Sequence, residues 1–442
     1  MSIFYIFCTF LIHMAYGFLY FKNLKKQNII KNINGFYGLI GPDVNIHNFK
    51  NITSLHDLFA GNGIIQGVFF DNGKITFAKH LIRTEKLIFE KKYGKIPKNP
   101  LILLFFFILN KIDLLPNVMG VSNTAFININ NKVYTLFERD YPYLIDINFN
   151  NKTIDTIGKQ KIKNLEYFSA HSKYNTGIET IETIEYKMNS NIINYLKLNS
   201  KFNKICKLNI KLQHIPIIHD FYSDDNNLII VDSPLEYDFK NIFKKKLPIV
   251  LDNRKNTSIH VINKLTNVPK TYIVNESFYI FHYVNVKEDH MYIKIYASVY
   301  NDLDFNSIDF EGKYRMIEIN KLDNTTRIYK NEILENYNLD FPINYEDKYI
   351  MINTNSKTMN GFIVVKDLQI VKKLIFKNKN VCGEHNVIYI KKMPYLIFFN
   401  VENNKNFLSL INLQNYEIID IDIPEQLNLG FHSIFLNNLV VL

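Results

Sequence analysis

The sequence predicts an all-β fold closed on itself, on three observations. From about residue 60 onward, short runs of β-branched and aromatic residues recur at even spacing, broken by Asn, Asp and Gly. Long amphipathic helical stretches are few. The chain has room for more than about twenty strands, which favours a propeller of four-stranded blades over a sandwich or barrel.

The elements follow in order. Gly67 to Phe70 stops at Asp71-Asn72-Gly73 and Lys74 to Phe77 resumes, a hairpin signal. Further strands are expected at Lys132 to Glu138, Asn227 to Val231, Ser277 to Val286, Met291 to Tyr300, Tyr349 to Asn353, Gly361 to Val365, Val387 to Lys391, Tyr395 to Val401 and Phe407 to Ile411. No blade repeat such as a Trp-Asp dipeptide is visible, so periodicity alone reads "all-β and closed". One segment breaks the pattern: Leu101 to Leu109 is wholly apolar and is followed by Asn110-Lys111-Ile112-Asp113-Leu114-Leu115. It is too short to span a bilayer, which needs about 20 apolar residues. It reads as a buried strand or helix, or as a surface patch dipping into one leaflet.

Composition bounds the rest. A chain of 442 residues with 47% apolar residues, 35 Phe and 28 Tyr can bury a sizeable core as one large unit. The net charge of +10 is spread among scattered lysines in an Asn- and Ile-rich chain, with no basic stripe and no nucleic-acid module. Cys8, Cys206 and Cys382 lie far apart with no Cys-x-x-Cys pair and an odd count, which argues against a disulfide framework and favours a reducing compartment. Residues 1 to 21 carry no charge and are followed by Lys22, Lys25 and Lys26. Residues 1–33 thus read as an apolar N-terminal segment, a signal peptide, a membrane anchor, or an interfacial helix or segment packed on the fold, ahead of a domain over 34–442.

Twelve histidines are present, and any one of them is more often structural than a ligand. Four stand out by their neighbourhoods: His171 in Phe168-Ser169-Ala170-His171-Ser172-Lys173, His219 in Ile218-His219-Asp220-Phe221, His282 after Phe281 with Asn285 and Glu288 beyond, and His432 in Gly430-Phe431-His432-Ser433. Their intervals of 48, 63 and 150 residues are far too wide for a local zinc site. Only a fold that converges distant strands on one axis, as a propeller does, joins them.

These motifs resemble those of the carotenoid cleavage oxygenase family, which includes carotenoid and stilbene dioxygenases and a retinoid isomerase. The resemblance runs from about Asn34 to Ser433. Gly35-Phe36-Tyr37-Gly38-Leu39-Ile40-Gly41-Pro42 resembles the family's opening motif with Leu39 where Arg is usual, and Phe59-Ala60-Gly61-Asn62-Gly63 a second one with Asn62 in place of Asp. Ile82-Arg83-Thr84 and Ser122-Asn123-Thr124-Ala125 match two more. The four histidines fall on the four ligand motifs, with Ser169, Ser172, Val286 and Ser433 as departures that remove no ligand.

The resemblance implies a seven-bladed β-propeller with a cap of loops and short helices over an iron centre. It implies Fe(2+) held by His171, His219, His282 and His432, three of them backed by the carboxylates of Glu138, Asp340 and Glu384. Asp340 stands where Glu is usual, and one residue is missing after Pro342. Thr124 falls beside the open coordination position. Four neutral imidazoles leave ferrous iron its full charge and two adjacent positions for dioxygen and an alkene, and carboxylates behind them set tautomer and orientation. The implied activity is oxidative cleavage of a carbon–carbon double bond in a carotenoid or apocarotenoid, giving aldehydes or ketones. Stilbene-cleaving relatives carry Lys before the first carboxylate; here it is Phe137, which favours an apolar polyene. Two other readings share the site: an inactive lipid-binding or interaction module, and an isomerase. The other eight histidines, His214, His260 and His385 among them, read as structural or surface. The expected partners are the polyene, dioxygen and the cytoplasmic face of a membrane, with no nucleic acid.

Overall fold

The protein is described by a computed structural model that covers residues 26–438 apart from 98, 113, 188, 245, 310, 356 and 357. The anchor or signal reading of the first residues therefore lies outside the described residues. Residues 26–30 are helical, and Ile30 and Ile33 are buried against the main core.

Seven antiparallel sheets form a β-propeller, six of four strands and one of five. Blade 1 takes Gly35–Pro42, Gly63–Asp71 and Lys74–Leu81 from the start of the chain and Ser433–Asn437 from its end. Gly35 opposite Asn437 and Leu39 opposite Ser433 set the register that closes the ring. Blades 2 to 6 span Ala125 to Lys159, Lys173 to Lys211, Tyr222 to Val274, Tyr279 to Tyr329 and Leu339 to Ile375, and blade 7 spans Lys379 to Ile423.

The residue pattern follows the layering. Middle strands such as Gly63–Asp71 and Met393–Glu402 are covered on both faces by neighbouring blades and are almost continuously buried. Outer strands such as Gln369–Ile375 alternate exposed and half-buried residues. Turn chemistry joins them: Asn72 and Gly73 both take positive φ, 50° and 85°, as a tight two-residue hairpin turn requires. The expected strand Lys132 to Glu138 ends at Leu136, leaving Glu138 on a loop.

Antiparallel pairing sends several long connections to one end of the ring. Ile46–Asn51, Leu55–Phe59, Glu85–Tyr93 and Pro100–Lys111 are short helices there, the cap that the resemblance implied. The apolar run of 101 to 109 is helical, and its Leu101, Leu104, Phe105, Phe107 and Ile108 are exposed. Among the described residues no helix is long and apolar enough to cross a membrane.

Candidate metal centre

At the capped end, each of the seven blades delivers one side chain to the axis. His432 precedes the inner strand of blade 1, Glu138 follows Lys132–Leu136 of blade 2, and His171 and His219 precede the first strands of blades 3 and 4. His282 lies in the first strand of blade 5, Asp340 in that of blade 6, and Glu384 between the first strands of blade 7. Two of the strands bend to do this. Register shifts flank His282 between Ile280 and Asn285, and another follows Asp340, where Phe341 takes a left-handed φ of 54°. Bulges re-aim side chains in this way.

The four histidines offer ligand atoms that all lie within 4.8 Å of one another. His171 Nε2 is 3.1 Å from His219 Nε2, and His282 Nε2 is 3.2 Å from His432 Nε2. Behind them, the Nδ1 atoms of His219, His282 and His432 lie 2.5, 2.7 and 2.9 Å from Glu138 Oε1, Asp340 Oδ1 and Glu384 Oε1. Burial pushes all three carboxylates up, but the partner histidine's charge and hydrogen bond overcome it and hold each below the usual carboxylate range. A charged carboxylate only accepts, so each Nδ1 donates, and in the neutral ring that a metal ligand requires the Nε2 lone pair is left free.

That donor set fits a metal. Bare nitrogens facing one another across 3.2 Å repel unless a cation sits between them, whereas neighbouring ligands on an octahedral ion with bonds of about 2.1 Å lie about 3 Å apart. Burial, then the adjacent imidazoles, depresses the pKa of His171 well below the ordinary histidine value, keeping it in the neutral form a ligand needs. Among the described residues its Nδ1 meets no carboxylate.

Over His219, His282 and His432 lies a cavity of about 130 Å³ walled by Leu58, Phe59, Phe281, Phe341, Met359 and Phe431. Thr124 lines it too; its hydroxyl donates to Asn123 Oδ1 at 3.1 Å. Of the other histidines, His260 is buried against Asp232 and Thr271, and His385 is fully buried against Phe362. Sequence reasoning missed Tyr300, whose hydroxyl donates to Asp340 Oδ2. The hairpin register that pairs it with Tyr279 and sets it at the capped end was the available signal.

The family model described as retinal pigment epithelial membrane protein matches residues 29–367. A carotenoid 9,10(9′,10′)-cleavage dioxygenase 1 of Pisum sativum is 22% identical over 94% of this chain and 86% of that protein. The namesake from Phaseolus vulgaris is 24% identical over 60% of this chain, and a chloroplastic 9-cis-epoxycarotenoid dioxygenase of Arabidopsis thaliana 25% over 53%. In those two the match spans about half of the relative, 51% and 44%. Among solved structures, a Synechocystis apocarotenoid oxygenase superposes with a TM-score of 0.74 at 16% identity, covering 92% of this chain and 93% of that one. A Pseudomonas brassicacearum lignostilbene dioxygenase gives 0.75 at 14%, with the same coverage. With three quarters of its length matched by one family model and the propeller in common, the chain belongs to the retinal pigment epithelial membrane protein family, the carotenoid cleavage oxygenases.

Proposed function

We propose that this chain is a non-haem iron(II) dioxygenase that cleaves a carbon–carbon double bond of a carotenoid or apocarotenoid to aldehyde or ketone products. The observation that carries the proposal is the convergence of four histidine Nε2 atoms, three of them backed by charged carboxylates, beneath an apolar cavity. The printed activities of the relatives support it.

His171, His219, His282 and His432 would hold iron(II), which would supply the chemistry for activating dioxygen against an alkene. Glu138, Asp340 and Glu384 hold the Nδ1 protons and aim three of the rings. Phe59, Phe281, Phe341 and Phe431 exclude water and align a thin chain that has almost no polar handle. Thr124 narrows the space beside the histidines. Phe137, in place of a lysine that would grip a phenol, favours an apolar polyene over a stilbene.

Such a substrate resides in lipid, and the exposed apolar helix Pro100–Lys111 lies in the connection between blades 1 and 2 at the capped end. Phe239 and Phe243, also exposed, stand beside Lys240 and Lys244 on a second excursion from that end. Aromatic and aliphatic groups rimmed by lysines suit the surface of one leaflet, so the protein docks on the cytoplasmic face of a membrane and takes up substrate there.

The test is iron analysis of anaerobically purified protein coupled to a carotenoid and apocarotenoid screen. Aldehydes that form only with dioxygen support the reading; an isomer formed without dioxygen, or protein that never takes up iron, overturns it.

A further inference from the structure

Asp340 is the one aspartate among the three carboxylates, a methylene shorter than Glu138 and Glu384. The backbone makes up the length. Pairing of Leu339–Tyr345 with Lys348–Asn355 slips between Asp340 and Ile343, and Phe341 turns through the left-handed region, which carries the carboxylate to 2.7 Å from His282 Nδ1. Oδ1 also accepts the Phe341 backbone N–H at 2.8 Å, so that one oxygen is engaged by two donors. The second oxygen, Oδ2, accepts the hydroxyl of Tyr300, which reaches across from blade 5 to blade 6. Glu384 is held differently, its second oxygen accepting the backbone N–H of Ser433 at 2.7 Å.

We infer that Tyr300 is a positioning residue for the metal centre, acting through Asp340 to aim His282. Rotation of an aspartate carboxylate about its last torsion is broad and soft. A donor on Oδ2, opposite the pair on Oδ1, stops that rotation and keeps Oδ1 in line with the imidazole N–H. The tyrosine ring is itself fixed, only 2% exposed and edge-on to Phe281 at 5.0 Å. The short carboxylate is thus held by a bent backbone on one side and a phenol on the other. Tyr300 also borders the cavity, so substrate turnover alone would mix two roles. The inference rests on the metal reading of the four histidines.

The experiment titrates full-length metal-free protein with Co(II) alone, the ion present in a solved cobalt-substituted Synechocystis relative. Four proteins are compared with the wild type: Tyr300→Phe, Asp340→Asn, the double variant, and Tyr314→Phe, which removes a buried hydroxyl donated to the Asp367 carbonyl. Tyr300→Phe is expected to weaken Co(II) binding about tenfold, the low end for an outer partner of a metal ligand, and to shift the visible ligand-field bands. The double variant is expected to bind no worse than Asp340→Asn, because Tyr300 acts through that carboxylate, and Tyr314→Phe is expected to match the wild type. An unchanged affinity and spectrum in Tyr300→Phe, full additivity in the double variant, or a Tyr300→Phe protein that fails to fold each overturns the inference in favour of a packing role. Wild-type protein that binds no Co(II) instead overturns the metal reading and takes this inference with it.

Discussion

His282 and His432 face one another with their Nε2 atoms 3.2 Å apart, while each Nδ1 donates a hydrogen bond to a carboxylate, Asp340 and Glu384, which in the neutral ligand form leaves both Nε2 lone pairs free. Two buried lone pairs so placed repel, and they become favourable only when a cation joins them. Metal should therefore be a large part of the protein's stability. At free Fe(II) or Co(II) of about 100 times the dissociation constant, linkage predicts about 3 kcal/mol of added stability, lost on chelation. Thermal unfolding with and without chelator measures it, and His282→Ala should abolish both the metal and the shift. Equal midpoints for loaded and chelated wild type would sink the argument.

Glu138→Gln tests the outer carboxylates. Glutamine keeps an acceptor for His219 Nδ1 but removes the charge that strengthens this 2.5 Å contact. Metal affinity should fall about 10- to 100-fold, while the metal-free protein stays folded because a buried charge has been removed. Metal content after gel filtration, and circular dichroism of the apoprotein, give the two halves of the answer.

Much of this architecture was legible because its signals are local. The Asp71-Asn72-Gly73 turn and apolar middle strands such as Tyr292–Tyr300 and Met393–Glu402 announce themselves within a few residues, so those elements stand where expected, whereas the buried but polar-studded middle strands Thr180–Tyr186 and Thr257–Asn263 did not announce themselves. Polar outer strands such as Lys204–Lys211 and Gln369–Ile375 did not, because a half-solvated edge looks like any charged loop. The seven blades and the assembly of His171, His219, His282 and His432 came from resemblance to a family; spacing alone left them as scattered histidines. Tyr300 on Asp340, and the turn at Phe341 that lets an aspartate reach His282, depend on register slips that no local pattern encodes.

Gly383→Ala probes the backbone beside Glu384. Gly383 has φ of 151°, and an added Cβ would sit 2.4 Å from the Gly430 carbonyl oxygen. This strand crossing also carries the Gly430 N–H to Cys382 carbonyl bond and the Glu384 N–H to Phe431 carbonyl bond. Relief of the clash must push the Glu384 segment away from His432. A loss of about 2–3 kcal/mol in stability is expected, accompanied by weaker metal binding. Denaturant melts and metal titration check the pair; a drop in stability with metal affinity intact would separate the two effects and refute the coupling.

The apolar cap makes a prediction about lipid. Leu104 and Phe105 are 50% and 58% exposed on helix Pro100–Lys111, whereas Phe106 turns inward to meet Phe89 at 5.8 Å. Replacing Leu104 and Phe105 with Ser removes outward surface and leaves the Phe106–Phe89 contact in place. The double variant should stay in the supernatant when spun with anionic liposomes that sediment the wild type, with its melting temperature unchanged. Co-sedimentation equal to wild type would move the docking surface elsewhere.

His385 gives the pH dependence. It is fully buried beside Glu384 and packs on Phe362 with ring centroids 4.8 Å apart. Burial drives its pKa down to about 4, against about 6.5 in the unfolded chain. The unfolded state therefore takes up a proton first as pH falls. The neutral ring's contribution to stability is complete above about pH 6.5 and drains away on acidification toward pH 4, amounting to about 3 kcal/mol if the whole interval is crossed. His385→Leu removes this titration. Metal-free wild type and variant should then differ in the slope of unfolding free energy against pH between about 6.5 and 4.5, the wild type being steeper, and should run parallel above pH 7. Using metal-free protein on both sides cancels the protonation of the four axial histidines. Parallel curves across the whole range would mean that the folded ring gains its proton as readily as the unfolded one, and that the pocket against Phe362 admits water.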